Sequence, residues 1–395
     1  MIPISEPSVK PAPVARRFAL FELGFRPFYL LAALFSAVSI LAWIGALHGM
    51  PWHGPLSPLA WHQHEMLFGF ALAVVAGFLL TAGRVWTGLA TPVRWPLGLL
   101  SAHWLLARVL LITGPGIAAA VVSAAFPFVL AAASGRVIVR AHNKRNYFAI
   151  ALLCALGLAD IGFFLEQYGI VPATGQSAMA ALYLITVLVM VMAGRVVPAF
   201  TANALPRARV VRSAKLDLAA LLLAIAAFIG ALLDFPAWYL APVAGVAAVL
   251  HAWRQARWAP LATLGRPILW VLHLSHAWIP IGLALLALSS LGWVSPAAAT
   301  HAFGAGAVGG MIIGMITRTA LGHTGRPLRV GASETAAYAC VHAAALARVV
   351  STLAPASAYE PLIGVAGLLW SVGFLIYCVV YAPRLSQPRI DGKPG

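Results

Sequence analysis

Twelve apolar runs, each about as long as a bilayer is thick, follow one another along the chain with only brief connections between them. A spanning helix needs roughly 20 mostly apolar residues. The runs lie at about 27–48, 60–82, 96–113, 117–138, 147–166, 177–198, 216–233, 236–253, 267–290, 297–319, 334–354 and 360–382. In hydrocarbon each backbone N–H and C=O must find its partner inside the segment, so runs of this length predict helices. The expected fold is an all-α integral membrane protein, a bundle of about twelve transmembrane helices over residues 26–383. A polar arm (1–25) precedes it and a short tail (384–395) follows. Charged residues make up only 9% of the chain, against about 25% in soluble domains. No signal peptide precedes the first run, and the connections leave no room for a soluble domain.

The distribution of charge gives the topology. With the N-terminus placed in the cytoplasm, 24 of the 26 Lys and Arg fall on cytoplasmic segments, from Lys10, Arg16, Arg17 and Arg26 to Arg384, Arg389 and Lys393, and the six outer loops hold none. This is the positive-inside pattern, and a missed or spurious span would break it. It predicts that both termini are cytoplasmic. The net charge of +16 is accordingly topological and makes no case for nucleic acid. Cys154, Cys340 and Cys378 lie in apolar runs without ligand spacing and are expected to be buried apolar residues.

Two arginines break the pattern. Arg108 and Arg348 sit inside the third and eleventh runs, where a cation needs an anion or a water cavity. The acids within reach by sequence are Glu65, Asp160 and Glu166. One internal ion pair is the plain expectation. Contact with the carboxylates of a bound cofactor, such as haem propionates, is the functional one.

Histidines are the other expensive residues, and there are twelve. Trp61-His62-Gln63-His64-Glu65 opens the second run from outside, and His301 opens the tenth. His273 and His276 lie in the inner half of the ninth, and His323 lies just past the tenth. His48, His53, His142 and His251 fall near the faces, where exposed or capping roles are expected. His103 and His342, inside runs, are expected to hydrogen-bond carbonyls. His62, His64, His273, His276 and His301 are the candidate metal ligands, because imidazole suits copper, iron and zinc and no thiolate cluster competes. His62 and His64 are two residues apart, so on a helix they point about 200° away from each other. Unless the helix start is irregular they cannot both bind one metal, and the alternative is two different centres, one on each face of the same helix. Glu65 is a candidate for orienting His62 or for carrying protons. The run Gly322-His323-Thr324-Gly325-Arg326 is either a tight turn or an anion nest, and Pro198 is expected to break or stop the sixth helix.

Several stretches together resemble the NnrS family of bacterial membrane proteins. They are Leu23-Gly24-Phe25-Arg26-Pro27-Phe28, Trp61 to Phe70, Gly77 to Ala82 with Trp86-Thr87-Gly88, Arg145-Asn146-Tyr147-Phe148, Gly194 to Thr201, Leu272-His273-Leu274, His301 to Gly306, and Thr317-Arg318 through Leu328. The likeness covers about residues 20–382, and it rests on the order and number of the motifs. Gly83-Arg84-Val85 departs from the family's loop. The resemblance implies a protein of nitric oxide metabolism and nitrosative stress carrying haem, of b type, and copper. On that reading His62, His64, His301 and His323 bind cofactor, and Arg108 and Arg348 hold propionates. Glu65 is the catalytic proton group, and copper sits among His273, His276 and His301. Nitric oxide is ligand or substrate, with an electron donor from the membrane or periplasm. A looser likeness to haem–copper oxidases and nitric oxide reductases is analogy only. Two other classes fit the same residues: a metal, haem or small-molecule transporter, and a haem-based sensor that binds nitric oxide without turnover.

Overall fold

The computed structural model describes residues 18–393; Lys10, Arg16, Arg17 and most of the expected N-terminal arm lie outside them. Among the described residues there are twelve long helices and no strand. They are α1 (Phe25–Leu47), α2 (Pro58–Thr87), α3 (Trp95–Thr113), α4 (Gly116–Arg140), α5 (Tyr147–Gln167), α6 (Gln176–Ala204), α7 (Ala214–Leu232), α8 (Ala237–Ala256), α9 (Pro267–Ser290), α10 (Pro296–His323), α11 (Ala332–Ser351) and α12 (Ala356–Ser386). Ten of them are long and apolar enough to cross a membrane. The exceptions are α8 and α11. Both carry polar residues on faces turned into the bundle: His251 and Arg254 on α8, and Glu334 and His342 on α11 are all buried.

Helices consecutive in sequence are mostly neighbours in space. α4 packs on α5, α7 on α8, α8 on α9 and α11 on α12, while α1 closes the bundle against α12 and α2. The spanning windows of α2 and α10 are 78% and 72% buried, more than those of the other candidate spans. These two helices, which carry His62, His64 and His301, are therefore the centre of the bundle, and the lipid-facing apolar surface lies on helices such as α1, α3 and α4.

α2 and α10 start in the same way. Ser57 and Ser295 each cap a first turn that begins with proline, and their hydroxyls accept from the backbone N–H of Ala60 and Ala297, both at 3.3 Å. Serine at the cap and proline in the first turn together fix a helix start. Each helix then runs α-helically only to its histidine, to His64 and His301, before widening into a π-helical segment, Glu65–Ala71 in α2 and Ala302–Gly309 in α10. Such segments re-aim the side chains around them and are frequent at functional sites.

The helices also depart from the sequence reading. α6 does not stop at Pro198 but continues to Ala204. Proline's φ is already helical and it forfeits a single backbone hydrogen bond, which a helix packed among neighbours tolerates. α10 extends to His323, so this residue occupies the last helical turn and not the loop beyond. His251, expected near a face, is fully buried.

Candidate functional site

His62 and His64 project from opposite sides of α2 into two different environments. His64 is fully buried. Its Nδ1 lies 2.9 Å from Glu65 Oε1, and its Nε2 lies 2.9 Å from Asp160 Oδ1 on α5. Ser123 on α4 donates to Asp160 Oδ2 at 2.9 Å and sits 3.2 Å from the same ring nitrogen. Arg108 on α3 donates to the Ser123 hydroxyl at 3.2 Å and pairs with Glu65 Oε2 at 3.2 Å. Four helices thus bring two carboxylates, a guanidinium, an imidazole and a hydroxyl together away from water. An imidazolium at His64 makes the set neutral, and in a medium where unbalanced charge is costly the neutral arrangement is the stable one. Phe68, Phe163 and Phe164 ring the imidazole. In this arrangement His64 has no nitrogen free for a metal, and Arg108 has its anion in the protein.

The backbone around this set leaves no slack. A Cβ on Gly69, in the π-helical segment, would stand 2.7 Å from Glu65 Oε2 and 2.8 Å from an Arg108 nitrogen. The Gly69 carbonyl accepts from Trp104 Nε1 at 3.0 Å, which ties α3 to α2 at the same level.

His62 faces a mainly apolar cleft between α1, α2, α6, α10, α11 and α12. The cleft measures about 210 Å³, and Trp43, Met66, Met179, His301, Arg348 and Trp370 contribute to its walls. His62 stacks on Trp43 with ring centroids 4.1 Å apart, and its Nδ1 is buried without a hydrogen-bond partner. Across the cleft, His301 Nδ1 donates to the Ala297 carbonyl at 2.7 Å. That bond fixes the tautomer and leaves Nε2 as the basic nitrogen, the arrangement that prepares an imidazole to bind a metal. Arg348 donates to Ser351 at 2.9 Å and lies over the Tyr359 ring. It is the cation of the cleft wall.

The remaining candidates lie elsewhere. On α9, His273 Nε2 donates to the Thr201 hydroxyl, 2.9 Å away, since that hydroxyl's own proton goes to the Val197 carbonyl. His276 Nδ1 donates to Gln255 Oε1 at 2.8 Å. His323 packs against Phe25, and Arg389 donates to its carbonyl at 2.9 Å, so the Gly322–Arg326 stretch is a turn pinned by the tail. His103 bonds the Val122 carbonyl at 2.9 Å, and His342 Nδ1 accepts from Trp278 Nε1 at 3.2 Å. No three His, Cys, Asp or Glu side chains converge as a metal-binding group among the described residues. The structure therefore brings His62, His301 and Arg348 to one cleft, sets His64, Glu65 and Arg108 behind it, and keeps His273 and His276 apart from both. Asp160 and Ser123 were not assigned by sequence reasoning to His64; the only signal was the scarcity of acids inside the spans.

His62, His64 and His301 thus lie on α2 and α10, the two most buried candidate spans. The family model described as NnrS protein matches residues 19–389. The chain belongs to the NnrS family. No curated protein matches it. The NnrS match extends over all twelve helices, so the cleft, the His64 set and the α8–α9 contact all belong to the family's fold unit. Membership is consistent with a membrane protein of nitric oxide metabolism that uses haem or metal.

Proposed function

We propose that this NnrS protein handles nitric oxide at a haem held in the cleft between α2 and α10, with His62 and His301 as the ligands. The observation that carries this reading is the pair of prepared imidazoles: His62 with an unpartnered buried Nδ1 stacked on Trp43, and His301 with its tautomer set by the Ala297 carbonyl. Arg348 supplies a cation for a propionate at the same wall. The residues fit the group in ligand type, charge and apolar surround. A cleft of about 210 Å³ accepts a diatomic gas outright. A porphyrin is larger than that and would extend through the mouth at Leu59, Gln63 and Met66, where Leu59 and Gln63 are exposed and Met66 partly so.

The haem supplies redox-active iron that binds nitric oxide. The chain's residues do the rest. Trp43 stacks on the His62 ring and holds it in one plane, and Trp370 adds apolar wall that excludes water from the cleft. Glu65, three residues after His62 and the buried acid on α2, accepts the His64 Nδ1 proton, while Asp160 accepts the one on Nε2. Whether nitric oxide is bound or reduced, a buried neutral charge set beside the cleft stabilises charge changes there. Copper, the second metal of this reading, cannot share one compact site with all the candidate histidines, because His273 and His276 are not in the cleft. The charge pattern supports an inner-membrane orientation with both termini in the cytoplasm: the connections at 48–57, 114–115, 168–175, 233–236, 291–295 and 352–355 contain no Lys or Arg.

The test is the haem-to-protein ratio of detergent-purified protein. His62→Ala and His301→Ala should lose haem, whereas Ser123→Ala, in the set behind the cleft, should retain it. Haem retained in full by both histidine variants rejects the assignment.

A further inference from the structure

We infer that buried water lies between the hydroxyls of Tyr338 on α11 and Tyr377 on α12, and that it completes a proton path along α11 from the basic face of the bundle toward the cleft. The role of the path rests on the reading above, in which charge changes in the cleft; the water does not. The polar residues of α11 form one stripe. Glu334, Tyr338 and His342 follow one another at four-residue steps, which keeps them on one helix face, and all three are buried. The stripe climbs about 12 Å along the helix. Beyond it α11 continues to Ala344 and Arg348, which line the cleft.

The lower end of the stripe meets solvent. Glu334 pairs with Arg384 at 3.0 Å, and the Arg384 side chain is 32% exposed. Glu334 also accepts from the Tyr381 hydroxyl at 3.3 Å and from the Gly331 backbone N–H at 3.0 Å. Tyr381 is stacked on Tyr377, with ring centroids 4.5 Å apart and planes 9° from parallel. Tyr29, Tyr338 and Tyr381 are all neighbours of Tyr377, together with Cys378. Four phenols from α1, α11 and α12 thus converge behind one carboxylate.

Two of these phenols lack a partner. Tyr338 and Tyr377 are 0% and 1% exposed, yet neither hydroxyl makes a hydrogen bond. The Thr317 hydroxyl beside Tyr338 gives its own proton to the Ile313 carbonyl at 2.8 Å, and no bond of good geometry joins it to Tyr338. A buried hydroxyl left alone is costly, and protein interiors supply the partner as ordered water. A metal ion is the wrong occupant. Arg318 lies beside Tyr338, and the Arg384 guanidinium lies over the Tyr381 ring, so fixed positive charge repels a cation there. Water donates and accepts at once, which is what two unpartnered hydroxyls require.

His342 is the upper end. Its Nδ1 accepts from Trp278 Nε1 at 3.2 Å, which places the ring proton on Nε2, 3.5 Å from the Ser275 hydroxyl. A Cβ on Gly310 would stand 2.5 Å from the His342 ring, and one on Gly306 would stand 2.4 Å from Trp278. Both rings therefore press on α10 at its π-helical segment, where Gly304, Ala305 and Val308 line the cleft. The alternative route, from Tyr377 up α12 to Trp370, is closed by the packed rings of Phe70 and Phe374. Each hydroxyl of the line passes its proton forward and takes one from the water behind it. No residue of the line changes its own charge once the proton has passed.

The experiment is hydroxyl-radical footprinting of the full-length purified protein by brief X-ray irradiation, which oxidises side chains beside bound water. Tyr338 and Tyr377 should be labelled well above Phe28 and Phe303, which are as deeply buried and carry no polar atom. Labelling as low as theirs overturns the inference, with or without haem in the preparation. A second arm follows proton uptake on photoreduction of the haem-loaded protein, with a pH dye in weak buffer. Tyr338→Phe, which keeps the ring, and Glu334→Gln should slow uptake while haem content and the nitric oxide band stay unchanged. Glu334→Asp should restore part of the rate, and Tyr183→Phe, off the line, should match the wild type. Undiminished uptake in both Tyr338→Phe and Glu334→Gln overturns the path. Haem retained by His62→Ala and His301→Ala would reject the cleft reading and leave the footprint as it is, so the two failures are distinct.

Discussion

Asp160 reaches across from α5 to place Oδ1 2.9 Å from Nε2 of His64 on α2, with both side chains fully buried. The contact joins residues 96 positions apart and occupies the second nitrogen of a ring whose first is held by Glu65. It turns what sequence presents as a ligand motif, His62-x-His64, into one open imidazole and one closed one.

Removing one partner of a buried charge set leaves the others uncompensated, at a cost of about 3–5 kcal/mol. Asp160→Ala should therefore lower the unfolding midpoint of the purified protein sharply. Ser123→Ala removes one neutral hydrogen bond and should cost about 1 kcal/mol. Thermal unfolding of the two variants side by side checks the ranking; equal, small losses would mean that the set contributes little.

Gly69→Ala should mimic the loss of that set without touching a charge. Its Cβ would meet Glu65 Oε2, Phe35 and Arg108 at 2.7–2.8 Å, and overpacking of this kind typically costs about 1–3 kcal/mol. Gly364→Ala on α12, which meets nothing within 4 Å, is the control. The control should be neutral or more stable, since alanine favours the helix; a Gly69→Ala midpoint as high as that of the control would show that the set has room to spare.

How much of this could be read in the sequence depends on the range of the interaction. The helices were legible because run length acts locally. The opposite faces of His62 and His64 were legible from helix period alone. The internal pairing of Arg108 with an acid was the plain expectation, and Glu65 is that acid. The partner of His64 was not legible, because Asp160 meets it only through the packing of α2 against α4 and α5. Nor were the π-helical segments, which start immediately after the histidines and carry no local signature beyond their glycines. His251 seemed to belong near a face because α8 is short and ends in Arg254 and Arg257, yet the helix turns that polar side inward, toward α9.

The C-terminal tail gives a pH-dependent prediction outside the membrane. Arg389 binds Asp391 at 2.6 and 2.9 Å and donates to the His323 carbonyl. The hydrogen bond from Arg389 holds the Asp391 carboxyl down at about 2. A lowered carboxylate contributes fully above its unfolded value near 3.9 and loses its contribution as pH falls toward the folded one. Limited proteolysis of the tail should therefore be unchanged from pH 8 down to about 4, and faster in Arg389→Ala throughout that window. Equal cleavage of the two proteins at neutral pH would show that the clasp does not hold the tail.

Arg348→Ala should weaken haem retention while leaving the His64 set intact. Arg348→Lys should restore part of it, since a point charge replaces the fork but not its two-pronged geometry. Haem loss on dilution, followed by absorbance, separates the three proteins. Identical rates would remove Arg348 from the site.

The most direct measurement is the anaerobic absorption spectrum of reduced protein before and after nitric oxide, in wild type, His62→Ala and Ser123→Ala. The cleft assignment predicts a haem band that shifts on nitric oxide in the wild type and in Ser123→Ala, and no such band in His62→Ala. A wild type without a haem band, or a nitric oxide shift that survives His62→Ala unchanged, would contradict it.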